Sequence, residues 1–173
     1  MVDAARFDVA AGVQRRQLQA KAKVLRNEGS LDVESTLTVG LTFDTGALIG
    51  LERRRHAMRE VYATAVTHRV PITVPAIVIA EWWRAGLRER ERATILRSVR
   101  VEPLTDHVAR LAGVAVGLVR GAGAVDAVVM ASASLRGDIV YTSDPDDLAM
   151  LQATVPQFAN VRVLTAEGGP RGH

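Results

Sequence analysis

From Val39 onward the chain alternates short apolar runs with amphipathic stretches, and this alternation predicts strands and helices in turn. Val39 to Phe43 reads as a first strand ending at Asp44, and a helical pattern follows through Arg53 to His68. Val70 to Val74 is a second run, and Pro75 stands where a first-turn proline opens a helix through Trp83 and Arg84. Glu89 to Ser98 continues as a charged helix, with Val99 to Val101 as a short third strand. Thr105 can cap a helix in which Val108, Leu111, Ala112, Ala115, Leu118 and Val119 recur at helical spacing. Another helix is expected over about 125–135, a fourth strand over Asp138 to Thr142, a short helix over Pro145 to Leu151 and a fifth strand over Val161 to Thr165. Strands alternating with helices predict an α/β fold, a parallel sheet covered on both faces.

The segment before Val39 has a different texture. Gly12 to Arg26 is polar and basic, Asn27 to Ser30 is a breaker, and Val13, Leu18, Ala22 and Leu25 give only a thin apolar stripe. A helix of that length is marginal in water without a packed face. Residues 1–38 are therefore expected to be a poorly structured extension or an isolated helix, dispensable for the fold, with Val39 or Val33 a candidate true initiator; the alternative is a real extension that contacts RNA or a partner. Residues 39–166 are expected to form the domain, and 167–173 a flexible tail. The length, 173 residues, suits one such core.

Composition narrows the chemistry. With no cysteine, thiolate metal sites, iron–sulfur clusters and cysteine nucleophiles are excluded. The only lysines are Lys21 and Lys23, so the domain lacks the lysine of a P-loop, a kinase, a Schiff base or a receiver-type phosphoacceptor. A net charge of +3 carried by arginine suits a polyanionic partner, because guanidinium pairs bidentately with phosphate; base composition of the gene would enrich arginine equally well. No membrane-spanning run of about 18 apolar residues and no signal-peptide pattern occur, and the cytoplasm is the expected location.

Four carboxylates stand out. Asp44 and Asp144 fall at the carboxyl ends of predicted strands, where open parallel sheets bind ligands. Either can instead cap the helix that follows it. Glu81 lies three and four residues after Val78 and Ile77, which places it on an apolar stripe; the alternative is a surface glutamate paired with Arg84 or Arg88. Asp126 shares a helical face with Val129, Met130 and Ala133, or simply complements the helix dipole. Acids converging at one sheet edge repel one another unless a cation neutralises them. With oxygen donors only and no histidine pair at ligand spacing, the donor set favours Mg²⁺ or Mn²⁺ over Zn²⁺.

Thr42 to Ile49, Ile79 to Gly86, Ala124 to Ala133 and Val140 to Leu148 occur in the order and approximate spacing of the PIN-domain ribonucleases, and the chain most resembles the VapC-type toxins of bacterial toxin–antitoxin pairs. The resemblance covers about Val39 to Thr165. It implies a three-layer α/β/α sandwich with a five-stranded parallel sheet ordered 3-2-1-4-5. It implies a metal-binding catalytic quartet of Asp44, Glu81, Asp126 and Asp144, supported by Thr142 and by Asp147, with Asp146 exposed. The activity implied is Mg²⁺- or Mn²⁺-dependent cleavage of RNA of the tRNA or rRNA class, restrained by a VapB-type antitoxin, in a protein that commonly forms homodimers. The alternative is a non-catalytic PIN-like module that binds RNA or acts as a scaffold.

The densest arginine cluster, Arg84, Arg88, Arg90 and Arg92 with Arg97 and Arg100 beyond, follows Glu81 and is the candidate RNA contact; the opposing reading is a solvated face self-paired with Glu89 and Glu91.

Overall fold

The computed structural model describes residues 39–84 and 88–167. Expectations for residues 1–38 and for the tail beyond Glu167 lie outside the described residues.

The sheet forms in the middle of the sequence pattern. Strand β1 (Leu41–Phe43) is buried along its whole length, as a central parallel strand covered on both faces must be. It pairs in parallel with β2 (Ile72–Pro75) on one side and β4 (Ile139–Thr142) on the other. Strands β3 (Arg100–Glu102) and β5 (Arg162–Thr165) close the edges, giving the order β3-β2-β1-β4-β5. The first crossovers run to one side of β1 and the return to β4 runs to the other, so the chain reverses direction across the sheet between β1 and β4.

Among the described residues seven helices cover this sheet: α1 (Thr45–Glu52), α2 (His56–Thr67), α3 (Ala76–Trp82), α4 (Glu89–Leu96), α5 (Asp106–Leu118), α6 (Ala124–Ser134) and α7 (Pro145–Thr154). The result is a three-layer α/β/α sandwich. Phe43 is fully buried and meets the Tyr141 ring edge-on at 5.9 Å, while its neighbours Thr42 and Asp44 point to the other face of the strand. Helix α6 carries seven consecutive buried residues, Ala127 to Ala133, which makes it the central cover of the core. Thr105 caps α5 as expected, accepting from the Val108 N–H.

Three local features depart from the sequence pattern. The helical pattern through Arg53 to His68 is two helices, because the chain turns at Arg53 to Arg55, with Arg54 left-handed at φ 57°. The turn brings Met58 so close to α1 that a Cβ on Gly50 would lie 2.9 Å from its side chain. Pro75 ends β2 and precedes the first turn of α3 rather than opening it. A 3-10 turn at Pro156–Phe158, marked by no pattern, seats the fully buried Phe158.

Under α6 lies a polar hub. The Arg136 guanidinium donates to Asp138 at 2.8 Å, to Glu102 at 2.6 Å, and to the hydroxyls of Ser132 and Thr42. Thr42 also donates to Asp138 at 2.8 Å. Two carboxylates and two hydroxyls from β1, α6 and the ends of β3 and β4 are thus satisfied by one arginine. Among the described residues no helix is long and apolar enough to cross a membrane.

Candidate active site

Asp44 directly follows β1 and caps α1. Its backbone N–H extends the ladder to the Tyr141 carbonyl at 3.2 Å, and one carboxylate oxygen, Oδ1, accepts from the Ala47 N–H at 2.7 Å. The site and capping readings are therefore not exclusive, since a carboxylate has a second oxygen. Burial pushes the Asp44 carboxyl up to about 6, against hydrogen bonds from Thr142 and Ala47 that favour its ionised form.

Thr142, the last residue of β4, is the link between the two strand ends. Its side chain hydrogen-bonds the Asp44 carboxylate, and its Oγ1 accepts the Asp144 N–H at 2.9 Å. Asp144 precedes Pro145 at the start of α7, yet makes no side-chain cap bond, and its side chain is exposed. Of the two readings of Asp144, capping is not what the structure shows. Gly46 brings α1 and this loop together: a Cβ there would sit 2.6 Å from Ser143 Cβ and 2.8 Å from its backbone nitrogen. Only a residue without a side chain fits.

Asp126 lies in the first turn of α6, half-buried, above the buried face of Val129, Met130 and Ala133. Its Oδ2 is held so close over Gly123 that a Cβ there would approach it to 2.7 Å. Burial raises its carboxyl first, and the negative charges of Asp147, Glu81 and Asp144 raise it further. Asp126 in turn adds to the upward pressure on Asp44.

Glu81 corrects one expectation. It is not on a buried stripe: α3 turns Trp82 and Val78 inward, and Glu81 is exposed. Its carboxylate accepts the hydroxyl of Thr45, the first residue of α1. Neither Arg84 nor Arg88 pairs with it among the described ion pairs. Thr45 was not singled out by the sequence, and a hydroxyl adjoining a strand-end aspartate is its only local signal. Asp146 and Asp147 are both exposed in the first turn of α7, and Asp147 alone bears on Asp126.

The four acids thus share the carboxyl edge of the sheet at the reversal point, where Asp126 senses the charges of Glu81 and Asp144 and Asp44 senses that of Asp126. None of the described ion pairs includes any of them. Among the described residues no three histidine or acid side chains stand together so as to hold a metal ion between them. The cluster is open, with Asp44 and Asp126 its more buried part and Glu81 and Asp144 on exposed side chains. Its chemistry, oxygen donors among which Asp44 and Asp126 have carboxyls raised first by burial and further by neighbouring negative charge, suits a hard divalent cation.

The arginine cluster divides. Arg84 and Arg90 are exposed. Arg88 is exposed too and donates to the Glu52 carbonyl at 3.3 Å. Arg92 is not a free surface arginine. It pairs with buried Glu52 at 3.2 Å and lies over the Trp82 ring at 5.8 Å. Glu89 and Glu91 join none of the described ion pairs, so the self-paired face is absent among the described residues. A separate cavity of about 970 Å³ opens between α1, α2 and α4, lined by Leu51, Tyr62 and Ile95 with Arg54, Arg59 and Arg90 among its charged residues. None of the four acids lines it.

No protein-family model matches the sequence, and no curated protein matches it. Solved structures do match. A chain of the DNA-bound VapBC of Salmonella typhimurium superposes with a TM-score of 0.55 over 75% of this chain and 99% of its own, at 15% identity. A chain of VapBC2 of Rickettsia felis, bound to a promoter DNA fragment, does so at 0.55 over 72% and 97%, at 12% identity. A chain of FitAB bound to the IR36 DNA fragment gives 0.55 over 77% and 99%, at 19% identity. The fold is the PIN-domain fold. At these identities the likeness is one of architecture.

Proposed function

We propose that this chain is a metal-dependent endoribonuclease, the toxin component of a toxin–antitoxin pair, hydrolysing phosphodiester bonds in RNA of the tRNA or rRNA class. The observation that carries this reading is the state of Asp126, whose carboxyl is raised by burial and by three negative neighbours at the switch point of a PIN sheet. Like charges held together without a protein cation are destabilising unless a ligand neutralises them. The toxin assignment is supported by the solved neighbours, which are toxin–antitoxin complexes.

In this reading Asp44, Glu81, Asp126 and Asp144 hold the ion, Mg²⁺ or Mn²⁺. When bound, it supplies positive charge at the scissile phosphate and an activated water for in-line attack. Thr142 keeps the Asp44 and Asp144 segments in register and favours the ionised form of Asp44. Burial of Asp44 excludes water from one side of the cluster, which strengthens its interaction with any bound cation. Asp147 adds negative charge near Asp126 without being required as a ligand. Exposed Arg84, Arg88 and Arg90 are assigned to the RNA backbone, as point contacts with phosphate.

Two partners follow from the same reading. A VapB-type antitoxin segment is assigned to the cavity between α1, α2 and α4, where apolar Leu51, Tyr62 and Ile95 lie with Arg54 and Arg59. A homodimer is assigned to the outer face of α5, where Val114 and Leu118 are exposed, with exposed Leu104 just ahead of the helix. With RNA as substrate and an antitoxin as partner, the compartment this reading assigns is the cytoplasm.

The test is single-acid substitution. Asp126→Asn, which nearly conserves volume, is expected to abolish RNA cleavage while RNA binding persists. Cleavage at the wild-type rate in saturating Mg²⁺ would remove Asp126 from the site. RNA binding without cleavage by the wild-type protein in Mg²⁺ or Mn²⁺ would favour the non-catalytic module.

A further inference from the structure

We infer that Glu52, Trp82 and Arg92 form a positioning clamp for the acid cluster, one that sets Glu81 against Asp44 by holding Trp82, the residue next to Glu81. The inference rests on the metal-site reading above.

Helix α3 has seven residues, too few to hold itself in place, and Glu81 is its penultimate residue. What fixes it is α1. Thr45 and Glu52 are the first and last residues of that helix, seven apart, hence nearly two turns apart on one face. Thr45 donates its hydroxyl to Glu81. Glu52 accepts the indole N–H of Trp82 at 2.8 Å. One face of α1 therefore grips two successive residues of α3, while its N-cap is Asp44 itself. The spacing of Asp44 and Glu81 is the spacing of α1 and α3.

Glu52 is an unusual choice for a mere packing contact. It is a carboxylate with a side chain 8% exposed, at the end of the otherwise apolar Ala47 to Leu51 run. Its second partner is Arg92, forty residues on, which donates to both of its oxygens at 3.2 Å and stacks on Trp82. Burial alone would raise the Glu52 carboxyl, but Arg92 and Trp82 outweigh it and hold the carboxyl below its ordinary value. Buried ion pairs add little net stability compared with apolar packing, and their best-attested use is to fix register. Here the register fixed is that of α3, and Glu81 is the one candidate metal ligand on that helix.

The measurement is Mn²⁺ affinity of the full-length protein by calorimetry, in a cycle of Glu52→Gln, Glu81→Gln and the double variant, with Arg92→Lys as a milder probe and Asp44→Asn as a control. Glu52→Gln keeps an acceptor for Trp82 but loses the ion pair. It is expected to weaken Mn²⁺ binding by about tenfold, in the range of residues that orient metal ligands. In the Glu81→Gln background the same change should have no further effect, because Glu52 acts only through Glu81. Arg92→Lys, which retains charge, should fall between wild type and Glu52→Gln. A purely structural role predicts a lower melting temperature with unchanged Mn²⁺ affinity, or equal losses in both backgrounds, and either result overturns the clamp. Should Glu52→Gln fail to fold, Arg92→Lys with unchanged Mn²⁺ affinity overturns it on its own. Wild-type Mn²⁺ affinity in Asp44→Asn would instead refute the metal site as a whole, so the two failures are distinct.

Discussion

Asp44→Asn should make the metal-free protein more stable. The folded-state carboxyl ionises near 6 where an unfolded aspartate ionises at 3.8, a displacement of about two pH units. The stability linked to that extra proton is fully present below the unfolded value and is lost as pH rises through the folded one. At about 1.4 kcal/mol per unit, the wild type at pH 8 carries a penalty of about 3 kcal/mol that an uncharged side chain escapes. Asparagine keeps the Oδ1 acceptor that caps Ala47, so the N-cap itself survives. For a chain of this size the gain corresponds to a rise of about 6–12 °C in Tm. At pH 5, where the buried aspartate already takes up most of its proton, the gap should narrow to about half. The assay is urea or thermal unfolding in EDTA at both pH values, then with Mn²⁺. Added Mn²⁺ should stabilise the wild type and leave the variant nearly unmoved. An Asp44→Asn protein less stable than wild type at pH 8, or a gap that widens on acidification, would refute the reasoning.

Other expectations follow from the same geometry. Gly46→Ala places a methyl against the Ser143 backbone, and the displacement of α1 from the β4 end should cost about 1–3 kcal/mol in urea unfolding and disproportionately reduce cleavage; a wild-type rate would show that this approach is irrelevant to the site. Arg136→Met leaves Asp138 and Glu102 without their cation and should cost about 3 kcal/mol by urea unfolding, largely recovered when both acids are also made Asn and Gln; an unrecovered loss would point to packing instead. Replacing Arg84, Arg88 and Arg90 together should make the log–log salt dependence of RNA binding shallower by about one for each of these arginines that neutralises a phosphate, and an unchanged slope would put the RNA path elsewhere.

Much of the architecture was legible because most strands are short apolar runs and some helices begin at a recognisable residue. Val70 to Val74 and Val161 to Thr165 anticipated β2 and β5 to within a few residues, and Thr105 marked the start of α5. The break at Arg53 to Arg55 was not legible, since neither glycine nor proline marks it and arginine is a poor residue for a left-handed turn. Within the site, strand-end aspartates announce themselves by position, so Asp44 and Asp144 could be read directly. Glu81 stood out for an imperfect reason. The apolar stripe near it belongs to Val78 and Trp82, and periodicity over so short a helix does not say which of two adjacent residues turns inward. Thr45, Glu52 and Arg136 escaped notice because their meaning lies in partners 36, 40 and 94 residues away, and local pattern carries no such information.

The central claim is that the acid cluster at the edge of this sheet is a divalent-metal site that cleaves RNA. Incubating the purified full-length protein, free of any partner, with total bacterial RNA in EDTA, Mg²⁺, Mn²⁺ or Ca²⁺ tests it most directly. Discrete cleavage fragments are expected in Mg²⁺ and Mn²⁺, none in EDTA, and none in Ca²⁺, whose looser coordination is poor at organising in-line attack. Fragments that persist undiminished in EDTA, or in Mn²⁺ with the Asp44→Asn and Asp126→Asn proteins, would contradict the account.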